Sequence, residues 1–329
     1  MSRRASPRHP ARGWLTLFVL LAAVAVLSLG PATLGEALSG LIFARPRAAT
    51  LPAFSEHFEP ILQARLESVA GSPAYGRVSA SVVDLQTGAT ASLDADRAFP
   101  AASLFKLPIL VEVLAEEDAG QLDPTAQLEI RAEDWTDGSG VLQARVGDRL
   151  AVRELTRLMI QESDNIAARV LLDAVGVPAV NAIDERLGLH TTRLVDHRTV
   201  SGAEHTTSAS DMAHLLVGLA TGQLVNQHVS EEALRLLELK QATTWLGDDL
   251  PFWVKVAHKW GDLPQARNDV GAVFTPRGSY VVAVLTEDGT PDESARIIAR
   301  TSRMAYDYLG GRPALIASNG PRSADQPVG

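Results

Sequence analysis

Two residues three apart can do chemistry together here. Ser103 and Lys106 sit in Ser103-Leu104-Phe105-Lys106, at the start of an apolar stretch that runs to Leu114. On a helix, residues i and i+3 share a face, so the hydroxyl and the amine are expected side by side. A serine becomes a useful nucleophile when a base takes its proton. A lysine can be that base once burial or nearby positive charge lowers its pKa. The apolar flanks predict that Lys106 is buried. Pro108 falls in the first turns, where its missing donor costs little. Of the 30 basic residues only Lys106, Lys240, Lys255 and Lys259 are lysines, and the other 26 are arginines, which cannot act as a base.

Two further elements follow in order. Ser163-Asp164-Asn165 lies at the junction of two helical runs, where the serine could relay a proton and the asparagine amide could hold both a lysine and a substrate carbonyl. Lys259-Trp260-Gly261 reads as part of an edge strand. A lysine there adds positive charge that depresses Lys106 and attracts an anionic substrate, and Gly261 lets a ligand come close to the strand backbone.

These elements need a scaffold. Residues 54 to 70 carry Phe54, Phe58, Ile61, Leu62 and Leu66 at helical spacing. Residues 76 to 94 alternate around Gln86-Thr87-Gly88 and read as a hairpin. From 103 to about 245 the pattern is mostly helical. Strands are expected at 252–257, 270–274 and 280–285, with Pro276-Arg277-Gly278 as a turn, and a helix at 293–309. An α/β piece (about 51–102 and 250–312) is therefore split around an all-α lobe (about 103–249), with a cleft where they meet and a loose tail over 313–329.

At the N-terminus, Arg3, Arg4, Arg8 and Arg12 precede an uncharged apolar run over 14–29, and Ala37-Leu38-Ser39 offers a cleavage site. This reads as an export signal within 1–50, removed or retained as a membrane anchor, with the rest of the chain outside the cytoplasm in the periplasm or beyond. Any membrane contact is expected through this segment only. A net charge of −9 gives no basic face for nucleic acid, and the absence of cysteine excludes disulfides and thiolate metal sites. A nucleophile-elbow hydrolase is not supported, because no Gly-x-Ser-x-Gly occurs.

The three elements resemble those of the serine β-lactamase and penicillin-binding superfamily, which carries Ser-x-x-Lys, Ser-Asp-Asn and Lys-Thr/Ser-Gly in that order. Sixty positions separate Ser103 from Ser163, similar to the class A arrangement. Gly138-Ser139-Gly140-Val141-Leu142, Ile166-Ala167 and Asn268-Asp269-Val270-Gly271 add to the likeness, which covers roughly 75 to 310. The resemblance implies an α+β fold, a mostly antiparallel sheet flanked by N- and C-terminal helices with an inserted all-α lobe. It implies Ser103 as nucleophile, Lys106 as its base, Ser163 as proton shuttle, and Asn165 and Lys259 as substrate-orienting groups. The backbone N–H groups of Ser103 and Asp262 would form the oxyanion hole. The substrate would be a β-lactam, or a D-Ala-D-Ala-type peptide for a cell-wall peptidase. No cofactor or metal is implied.

Two departures stand out. Trp260 replaces the family's hydroxyl residue, and Arg267 is a candidate to bind the substrate carboxylate instead, or else a solvated turn residue. The segment from Leu194 to Thr206 is short for the loop that carries the family's deacylating glutamate. Glu204 is the nearest glutamate, with Asp196, His197 and His205 as other bases close in sequence, and each could equally be a loop-surface residue. His258 is expected to face away from Lys259. A non-catalytic envelope binding domain is the reading that Trp260 and the short loop favour.

Overall fold

The computed structural model describes residues 57–72, 76–196 and 204–310. The expected leader at 14–29, its cleavage site at Ala37-Leu38-Ser39, Phe54, His197 and the tail lie outside the described residues.

A six-stranded sheet runs in the order β1-β3-β2-β10-β9-β8. The short β1 (His57–Phe58) pairs parallel with β3 (Ala89–Leu93). β2 (Arg77–Asp84), β8 (Lys255–Leu263), β9 (Ala266–Phe274) and β10 (Tyr280–Glu287) pair antiparallel. Strict alternation builds both faces. Val281, Ala283 and Leu285 of β10 join the core shared with the helical lobe, whereas Tyr280, Val282 and Val284 pack on the other side. That second side is covered by α1 (Pro60–Ala70) and a C-terminal helix, Pro291–Ala305. The helix expected over 54–70 begins only at Pro60. Proline holds the residue before it extended, so Glu59 becomes the N-cap and Phe58 and Ile61 stay exposed.

Between β4 (Phe99–Pro100) and β8 the chain is mainly helical. A 3-10 turn, Ala102–Phe105, leads into α2 (Lys106–Asp118). α3 (Val152–Gln161), α4 (Asn165–Val175), α5 (Val177–Leu187), α6 (Ala209–Ala220) and α7 (Gln227–Leu237) follow, and Pro291–Ala305 is α8. Two small pairings were not expected: β4 with β7 (Thr206–Thr207), and β5 (Gln127–Glu129) with β6 (Arg149–Ala151). The strand expected at 252–257 starts at Lys255. Phe252 and Trp253 form an exposed turn, edge to face with each other.

Candidate active site

The nucleophile turn is pinned to the sheet from below. Asn268 of β9, fully buried, donates to the carbonyls of Pro100 and Ala101 at 2.8 and 3.3 Å and accepts from the Thr286 amide. Ala102 takes a positive φ of 46° there. A Cβ on Gly261 would lie 2.8 Å from the Ala102 Cβ and 2.9 Å from the Ser103 amide nitrogen. Gly261 is therefore needed first for this contact of strand against nucleophile turn, a closer backbone approach than the ligand contact expected of it. In the 3-10 geometry, side chains at i and i+3 eclipse, and Lys106 Nζ comes within 3.1 Å of Ser103 Oγ.

The second element is held by Asp164. Its carboxylate accepts from the amides of Val141, Leu142 and Ala167, at 2.6, 3.0 and 2.9 Å, capping α4 and tying down the 138–142 loop. Gly140 has a φ of 130°, and any side chain there would strike Asp164. Beside it Ser163 adopts a left-handed φ of 52°, a conformation costing about 1–3 kcal/mol that persists only where its surroundings impose it. Lys106 supplies part of that constraint by donating to the Ser163 carbonyl at 2.5 Å. Lys106 Nζ also lies 3.0 Å from Ser163 Oγ and 2.7 Å from Asn165 Oδ1.

Lys106 thus faces four oxygens. An ammonium has three protons and a neutral amine two protons plus a lone pair. The neutral form can donate to the Ser163 carbonyl and Asn165 Oδ1 while its lone pair accepts from a hydroxyl. Burial pushes Lys106 well below the ordinary lysine range, and the Lys259 charge adds to this while Asp164 opposes it. Lys259, also fully buried, donates to Ser163 Oγ at 3.1 Å and to the Trp260 carbonyl at 2.8 Å. Burial lowers it to about 7, against the pull of Asp269. Asn165 gives one amide proton to the Asp137 carbonyl at 3.0 Å, which leaves the other for a ligand.

Above this set opens a cavity of about 380 Å³ lined by Ser103, Asn165, Glu204, His205, Asp262 and other residues. Ser103, Lys106, Ser163, Asn165 and Lys259, distant in sequence, therefore meet in one place. Asp262 lines the same cavity on β8, the sheet edge, where unpaired N–H groups are available.

A model of the beta-lactamase enzyme family matches residues 61–309. The chain belongs to this family. It is a β-lactamase-like serine hydrolase with the α+β fold that its motifs imply. Among solved structures, a point mutant of PBP-A in acyl-enzyme complex with penicillin G is similar at 27% identity, covering 78% of this chain and 99% of that one, with a TM-score of 0.73. A β-lactamase from Sphaerobacter thermophilus is 31% identical over 77% of this chain and 98% of its own, with a TM-score of 0.70. An ancestral class A β-lactamase is 27% identical over 75% and 99%, at a TM-score of 0.68.

Arg267 is engaged outside the lining of the cavity. It pairs with Asp262 at 3.0 Å, donates to the Pro291 carbonyl at 2.6 Å and lies over the Trp245 ring, because the β8–β9 register sets it directly opposite Asp262. Trp260 is buried edge-on against Trp245, with no partner for its indole N–H among the described residues. Asp196, Glu204 and His205 all line the cavity. Of these, His205 is no surface residue: it is buried, its ring stacks 4.3 Å from Phe105, and its Nδ1 accepts from the Val195 amide. His258, as expected, turns away from the site and pairs with Asp269. Sequence reasoning did not assign the supporting roles of Asp164 and Asn268, although both stand inside quoted motifs, and nothing in the sequence signalled Trp245.

Proposed function

We propose that this hydrolase forms an acyl-enzyme on Ser103 with β-lactams and hydrolyses it. The observation that carries the reading is the continuous contact Ser103–Lys106–Ser163–Lys259 at the base of the cavity. Neutral Lys106 takes the Ser103 proton as Oγ attacks the lactam carbonyl carbon. The developing oxyanion is met by the N–H groups of Ser103 and Asp262, an arrangement whose single donors are worth about 2.7–4 kcal/mol. As the C–N bond breaks, the ring nitrogen receives a proton from Ser163 Oγ, which is refilled from Lys106. Asn165 and Lys259 orient the substrate. Water then cleaves the ester, with Glu204 on the cavity wall as its base. Protein groups and water suffice for every step. The chain acts outside the cytoplasm, led there by its N-terminal segment.

The likeness to PBP-A supports a second reading, a penicillin-binding peptidase acting on D-Ala-D-Ala ends, which acylates in the same way and releases penicillin slowly. Intact mass after mixing with penicillin G, followed over time, separates the two. A transient adduct with accumulating hydrolysed drug supports the hydrolase, and a persistent adduct supports the peptidase. Undiminished hydrolysis by Ser103→Ala would overturn both.

A further inference from the structure

Lys259 forms no ion pair with any described carboxylate, yet it is fully buried. Its two hydrogen bonds go to neutral oxygens, the Ser163 hydroxyl and the Trp260 carbonyl. What else meets the ammonium is an aromatic face: Nζ lies 4.7 Å from the Trp260 ring centroid. The ring is itself held. Trp245 stands against it at 6.1 Å and 74°, and the Arg267 guanidinium lies 5.0 Å from the Trp245 centroid. Arg267 is anchored in turn by Asp262. Cation, indole, indole and cation therefore form one chain of contacts from Lys259 to Arg267.

We infer that Trp260 is a positioning residue for Lys259, its indole face keeping the ammonium charged and aimed at Ser163 where no described carboxylate forms an ion pair with it. An indole face attracts a cation through its quadrupole, and more strongly where water is excluded. A hydroxyl residue at this position would supply an oxygen but no such face. The role fits the division of labour between the lysines: Lys106 must be neutral to act as base, so the positive charge in the cleft must stay on Lys259. The other charged groups around Lys259 are Lys106 from α2 and Asp269 from β9. Asp164 faces Lys106, and His258 on the same strand is paired with Asp269. Burial disfavours charge on Lys259, Asp269 favours it, and the ring adds to the latter.

The inference rests on the acyl-transfer reading of the site, but its test does not require turnover. The chain has only four lysines, so a protein labelled with ¹³C at lysine Cε gives four resolvable titrations, and Lys259→Arg identifies the Lys259 signal. In Trp260→Leu, Lys259 should titrate about half to one pH unit lower than in the parent protein, while Trp260→Phe, which keeps a ring, should fall in between. Should the leucine variant not fold, fluorinated tryptophans incorporated in place of the natural ones weaken the ring face with little change of shape. Lys259 should then titrate progressively lower with each added fluorine. An unchanged Lys259 titration in Trp260→Leu and across the fluorine series would overturn the inference and leave Trp260 a packing residue. Failure of penicillin to label Ser103 would instead count against the proposed reaction.

Discussion

Lys106 and Lys259 bring their amines to the same hydroxyl, that of Ser163, at 3.0 and 3.1 Å from opposite lobes. Two ammonium groups cannot both be stable around one buried oxygen, because burial and their mutual repulsion disfavour the charged forms. Acylation should therefore follow a bell in pH, rising as Lys106 loses its proton and falling as Lys259, lowered to about 7, loses its own. The group on the rising limb must be neutral and the group on the falling limb charged. Lys259→Arg, which stays protonated, should lose the alkaline limb, and Lys106→Arg should slow acylation about 10²–10⁴-fold. Stopped-flow rates with a chromogenic β-lactam from pH 5 to 10 decide this. An alkaline limb that persists in Lys259→Arg would assign it to another group.

Gly261 is a second point of leverage. In Gly261→Ala the new methyl would press on Ala102 and the Ser103 amide, so strand and nucleophile turn must separate. We expect a stability loss of about 1–3 kcal/mol. Acylation should slow by about 10²-fold, because both oxyanion donors shift. Denaturant unfolding and the acylation rate measured on the same preparation test it, and a normal rate would show that the turn can yield.

Asp164 contributes to stability and geometry together. Asp164→Ala removes the acceptor for three amides and should cost about 3 kcal/mol, lowering Tm by about 6–12 °C. Ser163 would lose its enforced left-handed backbone and acylation would fall with it. Asp164→Asn keeps a single acceptor oxygen and should recover part of the loss. Calorimetry showing equal Tm values for the alanine and parent proteins would contradict the role.

Far from the cleft, Asp184 on α5 is buried with neither carboxylate oxygen hydrogen-bonded. Burial, then Asp211 and Glu112, push it from an ordinary 3.8 up to about 8. Between those values the unfolded chain binds fewer protons than the folded one, so this group's contribution to stability falls as pH rises from about 4 to about 8. Asp184→Asn removes that loss. It should leave Tm unchanged near pH 4 and raise it by a few degrees at pH 8. A Tm difference that does not vary with pH would show that Asp184 is ionised in the fold.

Much of this protein was written locally. The i, i+3 spacing of Ser103 and Lys106, lysine where arginine is the rule, the alternation of 76–94 and the apolar run of 280–285 act over a few residues, and the fold preserves them. Helix ends were less legible where one residue dominates, as Pro60 does in starting α1 ten residues from its end. Only the tertiary structure decided what depends on distant partners. Register across β8 and β9 sets Arg267 against Asp262 and so removes it from the cavity. Packing of the 3-10 turn Trp245–Gly247 against the sheet brings Trp245 beside Trp260, and packing of the 204–207 segment on the nucleophile turn buries His205 against Phe105. Side-chain type and periodicity carry short-range preferences, whereas the partner a charged or aromatic group meets is set by long-range packing, which no stretch of sequence encodes alone.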